Sequence, residues 1–413
     1  MTSEEAERYL LGLELFGMRF GLERMHKLMT VLGLPQRRFA SIHVVGTNGK
    51  SSVARFTAAI LERHGRHTGS YTSPHLRSFR ERIEVGEQPL SADDFASAVE
   101  RAKEAAEAVN ATQPADEGVT QFEALTAAAY HALAQRKVQV AVIEAGLGGR
   151  FDATNVIPSK VQVITSVGLE HTRWLGSTTR EIAEEKLAVV RDHATLVVGE
   201  LDPDARAVAE RVAGEHSARL LEAPKEMAVE PAARGEFQRR NFALAATAAQ
   251  AFLGRELDPA ALTRAAAETR IPGRLELVGE RPLTALDGAH NPAGARALAE
   301  SLPELFGPRR PRVGVLAVLE DKDAEGLLAA LLPQLDRLVL TRSHNPRSLA
   351  PGALKALVDG IGGPASESVE EPRAALERAR ELAGSDGAVL ATGSIYLVAD
   401  LVREPADAPA SSL

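Results

Sequence analysis

The sequence predicts an α/β protein in two units, and three observations carry that expectation. Apolar β-like stretches alternate with helical patterns along the chain, several of those stretches end in polar residues suited to chemistry, and a Pro/Gly-rich passage from Gly254 to Pro282 interrupts the rhythm before it restarts. Strands alternating with helices form parallel, doubly wound sheets, which bind ligands outside the carboxyl ends of their strands. At 413 residues the chain exceeds one ordinary core. Two domains are expected, 1–272 and 273–413, with the boundary near Ile271 to Pro282. The first reads as a P-loop parallel-sheet domain and the second as a smaller, Rossmann-like α/β domain.

The N-terminal segment carries two apolar helical patterns, broken around Gly17 to Gly21 and closed by Gly33 and Pro35. Ile42, Val44 and Val45 then form a β-like run that breaks into Gly46, Thr47, Asn48, Gly49 and Lys50. The following segment, SSVARFTAAILERHG, puts Val53, Phe56 and Ile60 on one helical face, so the loop sits at a helix N-terminus where the dipole favours an anion. That is the strand, loop and helix context of a P-loop, although Val44 stands where the common GxxxxGK[ST] spacing has its first glycine. An ordinary glycine turn is the plainer alternative.

Next, TGSYTSPHL reads as a short strand ending at a Ser-Pro turn, with a basic, polar segment after it. Ser91 opens a helix with Asp94 three residues on, a capping-box spacing, and the helix runs toward Asn110. Residues 111–118 read as a loop and GVTQFEALTAAAYHALAQ as a helix. VQVAVIE is a buried strand that stops at Glu144, and VQVITSVGLEH repeats the plan and reaches His171. A strand from Thr195 to Gly199 and an alanine-rich helix from Arg239 to Leu253 complete the first unit. Four strands with helices between them fill the second, with Asp287, His290 and Ser394 at strand ends. The residues after Arg403 read as a frayed tail.

Composition removes several function classes. A formal net charge of −8 argues against general nucleic-acid binding, which needs clustered Lys and Arg in excess. The absence of cysteine excludes disulfides, thiolate metal sites and thiol nucleophiles. No stretch reaches the roughly 18 apolar residues of a membrane span, and the acidic start does not read as a signal peptide. A cytoplasmic enzyme or binding protein is the expectation, without nucleic acid or membrane as partner.

The motifs suggest ATP chemistry at a site between the two units. A P-loop that holds triphosphate needs a divalent cation, and Mg²⁺ takes a few hard oxygen ligands while keeping several waters. Glu144 could provide one, with a surface strand-end acid as the bland reading; Ser73 could offer a hydroxyl, or be only a turn serine. His171 follows a strand of the same sheet, although a lone histidine is more often structural. Lys186, flanked by Glu184 and Glu185, reads plainly as a solvated lysine on a charged helix face. The turn from Asp287 to Pro292 could grip a ribose, an amine or a phosphate, or Asp287 could simply cap the following helix. Arg274 could reach a nucleotide from the linker.

The set GTNGKSS, TSPHL, TQFEALT, EAGLGGRFDATN, GLEHTRWLG, EEK, FQRRN, PGRLE, DGAHNP and TGSIYLV, in this order and over nearly the whole chain, resembles the folylpolyglutamate synthase/dihydrofolate synthase family, a branch of the Mur ligase superfamily. The resemblance implies ATP-dependent amide formation between a pteroate or folate carboxylate and the amine of L-glutamate through an acyl phosphate. It further implies ATP, two Mg²⁺ positions and room for a monovalent cation, with dihydropteroate or reduced folate, L-glutamate and ATP as partners of a monomer.

Carried over by position, the resemblance makes Thr47, Asn48, Gly49, Lys50 and Ser51 the phosphate cradle, and Ser73, Glu144 and His171 metal ligands. Lys186 matches a lysine that the family carbamylates, so Lys50, His171 and Lys186 become the catalytic candidates. Asn241, Arg274 and Asp287 look like nucleotide contacts. His290, Ser394 and Tyr396 are similar to the glutamate side, and Thr120, Phe122, Glu123, Phe151, Asp152 and Ala153 to the pterin pocket, where Phe122 would suit a flat ring. The chain departs from the family pattern at Ser51, commonly glycine, and at Glu170, commonly aspartate. Two other functions compete. A Mur-type peptide ligase would want a uridine-nucleotide domain before the P-loop, for which residues 1–45 are too few, and a non-ligase P-loop module would not need the Asp287 to His290 turn.

Overall fold

The computed structural model describes residues 1–13, 21–114 and 117–404. The expected helix break at Gly17 and the tail beyond Glu404 lie outside them. Fourteen strands form two sheets among the described residues. In chain order the first sheet uses β1 (Ala40–Val45), β2 (Thr68–Tyr71), β3 (Ile83–Val85), β4 (Gln88–Pro89), β5 (Val140–Glu144), β6 (Val161–Ile164), β7 (Thr195–Val198) and β8 (Arg219–Glu222). The second uses β9 (Glu276–Glu280), β10 (Leu283–Leu286), β11 (Arg312–Leu316), β12 (Arg337–Leu340), β13 (Ser366–Ser368) and β14 (Ala388–Thr392).

The first sheet runs β4-β3-β2-β5-β1-β6-β7-β8, and the second β13-β12-β11-β14-β10-β9. From β2 to β8 the first sheet is parallel, but β3 pairs antiparallel with β2 and β4 antiparallel with β3. The second is parallel except for β9 against β10. The parallel, doubly wound cores expected from the βα rhythm are present, and antiparallel strands toward the edges make both sheets mixed. β3, β4, β8, β9 and β13 escape the sequence reading because short edge strands need no buried apolar run.

Strand β1 is central because both its faces are buried. Ile42 and Val44 pack with Val53, Phe56 and Ile60 of the helix Lys50–Arg63, as its apolar face predicts, and with Phe242 of the helix Glu236–Leu253. The rings of Phe56 and Phe242 meet edge to face at 5.2 Å. The opposite face of the sheet is covered by the helices Ala92–Asn110 and Gln121–Gln135 through Phe95, Leu125 and Ile143. Ser91 caps the first of these as expected, its hydroxyl accepting the Asp94 N–H at 3.1 Å.

The strand order aligns the chemistry. With β2, β5, β1, β6 and β7 side by side, the segments leaving their carboxyl ends stand in a row: Ser73, Glu144, the glycine loop, the Thr165 to His171 turn and Gly199. In the second sheet β11, β14 and β10 bring Lys322, Ser394 and Asp287 together in the same way.

Candidate functional site

The carboxyl ends of both sheets face one cavity of about 1220 Å³. Every residue singled out from the sequence lines it: Thr47 to Ser51, Ser73, Thr120, Phe122, Glu123, Glu144, Phe151, Asp152, Ala153, His171, Lys186, Asn241, Arg274, Asp287, His290, Ser394 and Tyr396.

The glycine loop is built for a close approach. Gly46 and Gly49 have φ of +148° and +85°, the left-handed half of backbone space that glycine visits freely. A Cβ on Gly49 would lie 2.5 Å from Asn241 Oδ1, which places Asn241 directly against the loop. Lys50 Nζ donates to the Gly46 and Thr47 carbonyls at 3.1 and 3.2 Å, so its charge lies over the loop mouth. The loop itself is pinned to the β6 end: Thr47 N–H donates to Ser166 O at 2.8 Å, and Asn48 N–H to Ser166 Oγ at 3.1 Å.

Glu144 is buried rather than a surface acid. Its carboxylate accepts from Ser51 Oγ at 2.9 Å and Ser73 N–H at 3.0 Å, and burial pushes its pKa up. Ser51 therefore addresses the acid at the end of β5. His171 holds a left-handed φ of +50°, and burial, followed by the Lys322 charge, lowers its pKa to about 4, leaving the imidazole neutral. Among the described residues no group of three His, Asp or Glu side chains converges as a ready metal cluster.

The reading of Lys186 as a solvated lysine is overturned. It is 3% exposed, on the helix Thr179–Leu187, and Nζ donates to Gly46 O at 2.8 Å. Burial, aided by the Lys50 charge, lowers its pKa to about 7. The capping role for Asp287 is corrected as well, because the N-cap of the helix Pro292–Phe306 is Asn291. The buried Asp287 carboxylate instead accepts Leu275 N–H at 2.8 Å and Ala289 N–H at 2.7 Å, and so ties the linker to the turn. Burial raises the Asp287 pKa, and the Arg274 charge is the largest influence acting to lower it.

Where Thr120 to Glu123 and Phe151 to Ala153 line the cavity, Phe122 stacks on Tyr71 with centroids 6.1 Å apart. Thr120 and Glu123 form the capping box of the helix Gln121–Gln135, and Glu123 also takes Arg24 Nε at 3.0 Å. Asp152 is buried, accepting Leu147 N–H at 2.8 Å, whereas Phe151 is 43% exposed at the rim. Ser394 caps the helix Ile395–Val402, and Tyr396 is buried beside Arg347.

Lys322 and Arg24 were missed as site residues, and Glu170 was noted from the sequence only as a departure from the family pattern. Glu170 accepts from His290 Nε2 at 2.9 Å and Lys322 Nζ at 3.3 Å, bridging the two sheets' units; burial would raise its carboxyl, but the His290 hydrogen bond and the Lys322 charge hold it far below the usual range. Lys322 leaves the end of β11 in the LEDKD turn, the same strand-end position that marked the other candidates. Arg24 was legible only as part of a helical pattern.

The Mur ligase, glutamate ligase domain family matches residues 273–395. A Mycobacterium tuberculosis dihydrofolate synthase/folylpolyglutamate synthase is 37% identical over 382 residues, 83% of this chain and 78% of that protein. The structure of M. tuberculosis folylpolyglutamate synthase complexed with ADP is similar at a TM-score of 0.91 and 33% identity, covering 98% of this chain and 99% of that one. An Escherichia coli relative in complex with DHPP and ADP gives a TM-score of 0.85 at 29% identity, covering 97% and 96%.

Proposed function

The chain belongs to the folylpolyglutamate synthase/dihydrofolate synthase family of Mur ligases, and from that membership we propose that it joins L-glutamate to a pteroate or folate carboxylate, converting ATP to ADP and phosphate. The observation that carries this reading is the single cavity to which both sheets contribute their strand-end residues. A nucleotide switch would not need His290, Ser394 and Tyr396 from the second unit. We take residues 1–272 and 273–413 as the two units, acting as a cytoplasmic monomer; among the described residues no helix is long and apolar enough to cross a membrane.

In the first step the folate carboxylate attacks the γ-phosphate, forming an acyl phosphate and releasing ADP. Two anions must approach, so charge at the loop governs the barrier. The N-terminus of the helix Lys50–Arg63 and Lys50 Nζ face the transferring group, and Asn241, Arg274 and Asp287 organise the nucleotide side from both units and the linker. Phe122 presents a face for the pterin ring. In the second step the glutamate amine displaces phosphate through a tetrahedral intermediate, with His290, Ser394 and Tyr396 lining that end of the cavity.

Ser73, Glu144 and His171 fit a cation: a buried carboxylate that accepts from a hydroxyl and an amide, and an imidazole that burial keeps neutral, suit a hard divalent ion with few protein ligands. When bound, Mg²⁺ would neutralise part of the repulsion between carboxylate and phosphate. The test is ADP release with glutamate plus either dihydropteroate or a reduced folate. Turnover that depends on glutamate is expected with at least one, and its absence with both would refute the ligase reading.

A further inference from the structure

Resting on the ATP-dependent reading, we infer that Asn291 is a positioning residue that ties the glycine loop to the second unit, so that the loop's nucleotide-ready form and closure of the two units are one equilibrium. Asn48 and Asn291 lie 243 positions apart and exchange two side-chain hydrogen bonds: Asn48 Nδ2 to Asn291 Oδ1 at 3.2 Å, and Asn291 Nδ2 to Asn48 Oδ1 at 3.0 Å. Each amide uses both its donor and its acceptor, which fixes their mutual orientation.

Asn291 is anchored on its own side. It is 5% exposed, and the same Oδ1 accepts Gly294 N–H at 2.8 Å as the N-cap of the helix Pro292–Phe306. Asn48 is anchored on the other: its N–H reaches Ser166 Oγ, and its carbonyl accepts Thr165 Oγ1 at 2.6 Å. The next residue, Gly49, is wedged against Asn241. The side chain of Asn48 therefore cannot follow the second unit outward without pulling on the loop, and separation of the units breaks the pair. Glu170, bonded to His290 one residue before Asn291, adds a charged contact across the same seam.

Two neutral hydrogen bonds are enough to bias a two-state closure about tenfold. Linkage is reciprocal: if closure sets the loop, a nucleotide that prefers the set loop must favour closure.

The test is a double-mutant cycle on the full chain. Asn291→Ser keeps a good N-cap but cannot form the amide pair. The dissociation constant of AMPPCP with Mg²⁺ is measured by calorimetry for wild type, Asn291→Ser, Asn48→Ala and the double variant, with the radius of gyration from solution scattering. Asn291→Ser is expected to weaken binding about tenfold in the wild-type background and less than twofold beside Asn48→Ala, with a larger radius in the nucleotide-free protein. An equal effect in both backgrounds, or none in the first, overturns the inference. Wild-type protein that fails to bind AMPPCP overturns the nucleotide reading and this inference with it. Should Asn291→Ser not fold, scattering on Asn48→Ala decides: an expanded free form is expected, and an unchanged radius overturns the coupling.

Discussion

Replacing Lys186 by alanine is expected to remove most activity, because the fold buries its amine against the glycine loop and brings its pKa down to about 7. With a pKa of about 7, the amine is roughly 90% neutral at pH 8, against roughly 0.3% for an exposed lysine. A neutral amine can add CO₂, giving a carbamate and releasing a proton, and an anion there would stand beside the loop that Lys186 now contacts at Gly46 O. Loss of an anion that organises the metal side should cost on the order of 10²–10³ in turnover, the scale of one preorganised electrostatic contact. ADP release is the assay. Short carboxylic acids should restore part of the rate, and ¹³C-labelled bicarbonate should give a carbamate resonance in wild type that grows as pH rises through about 7 and is missing in the variant. Wild-type rates in Lys186→Ala, or no such resonance in an active wild type, would refute the reasoning. The sign on stability follows from the same shift. Between about 7 and the ordinary lysine value the unfolded chain holds a proton that the folded chain has released, so stability rises with pH across that window. Lys186→Met should lose that rise in a denaturation series.

Gly146→Ala places a Cβ 2.6 Å from Phe122 Cζ, so the ring must shift from its present seat; KM for the pteroate or folate should rise up to about tenfold while AMPPCP affinity is kept, the scale of losing one aromatic contact. Glu170→Gln removes the carboxylate 3.3 Å from the Lys322 ammonium and leaves it only Asp321 at 3.9 Å, and should cost about 1.5–3 kcal/mol in urea denaturation at pH 7. Because the His290 hydrogen bond and the Lys322 charge hold the Glu170 carboxyl below its ordinary value, this stability is present above about pH 4.5 and lost as pH falls, so the variant and wild type should converge in acid. Asp287→Ala strands the Leu275 and Ala289 N–H groups and should lower stability by about 2–4 kcal/mol, measured the same way, together with a raised KM for ATP.

The glycine loop was readable because its evidence is local. A strand, two glycines at special φ and a helix with Val53, Phe56 and Ile60 on one face all fall within a short stretch, and each obeys its own geometry before any long-range contact forms. The same holds for Ser91 and for the buried strands β5 and β6, whose apolar runs end where the chemistry begins. The edge strands gave no such signal. Arg219–Glu222 is half exposed and Ser366–Ser368 is polar, so pairing with a neighbour, rather than composition, makes them strands.

By itself, the sequence determined the alternation of strands and helices, the anion-binding loop, and through an ordered set of motifs the family and the residues of its cavity. Only the tertiary structure decided what those residues experience. Lys186 reads from its neighbours as an exposed lysine until the helix Thr179–Leu187 is packed against Gly46, and the choice between Asp287 as a cap and as part of a ligand-gripping turn stays open until Asn291 is found at the N-cap. Glu170 acquires its partners from residues 120 and 152 positions away. Burial and pairing are properties of neighbours brought together by the fold, whereas turns, caps and periodicity are properties of adjacent residues, and the division between what was legible and what was not follows that line.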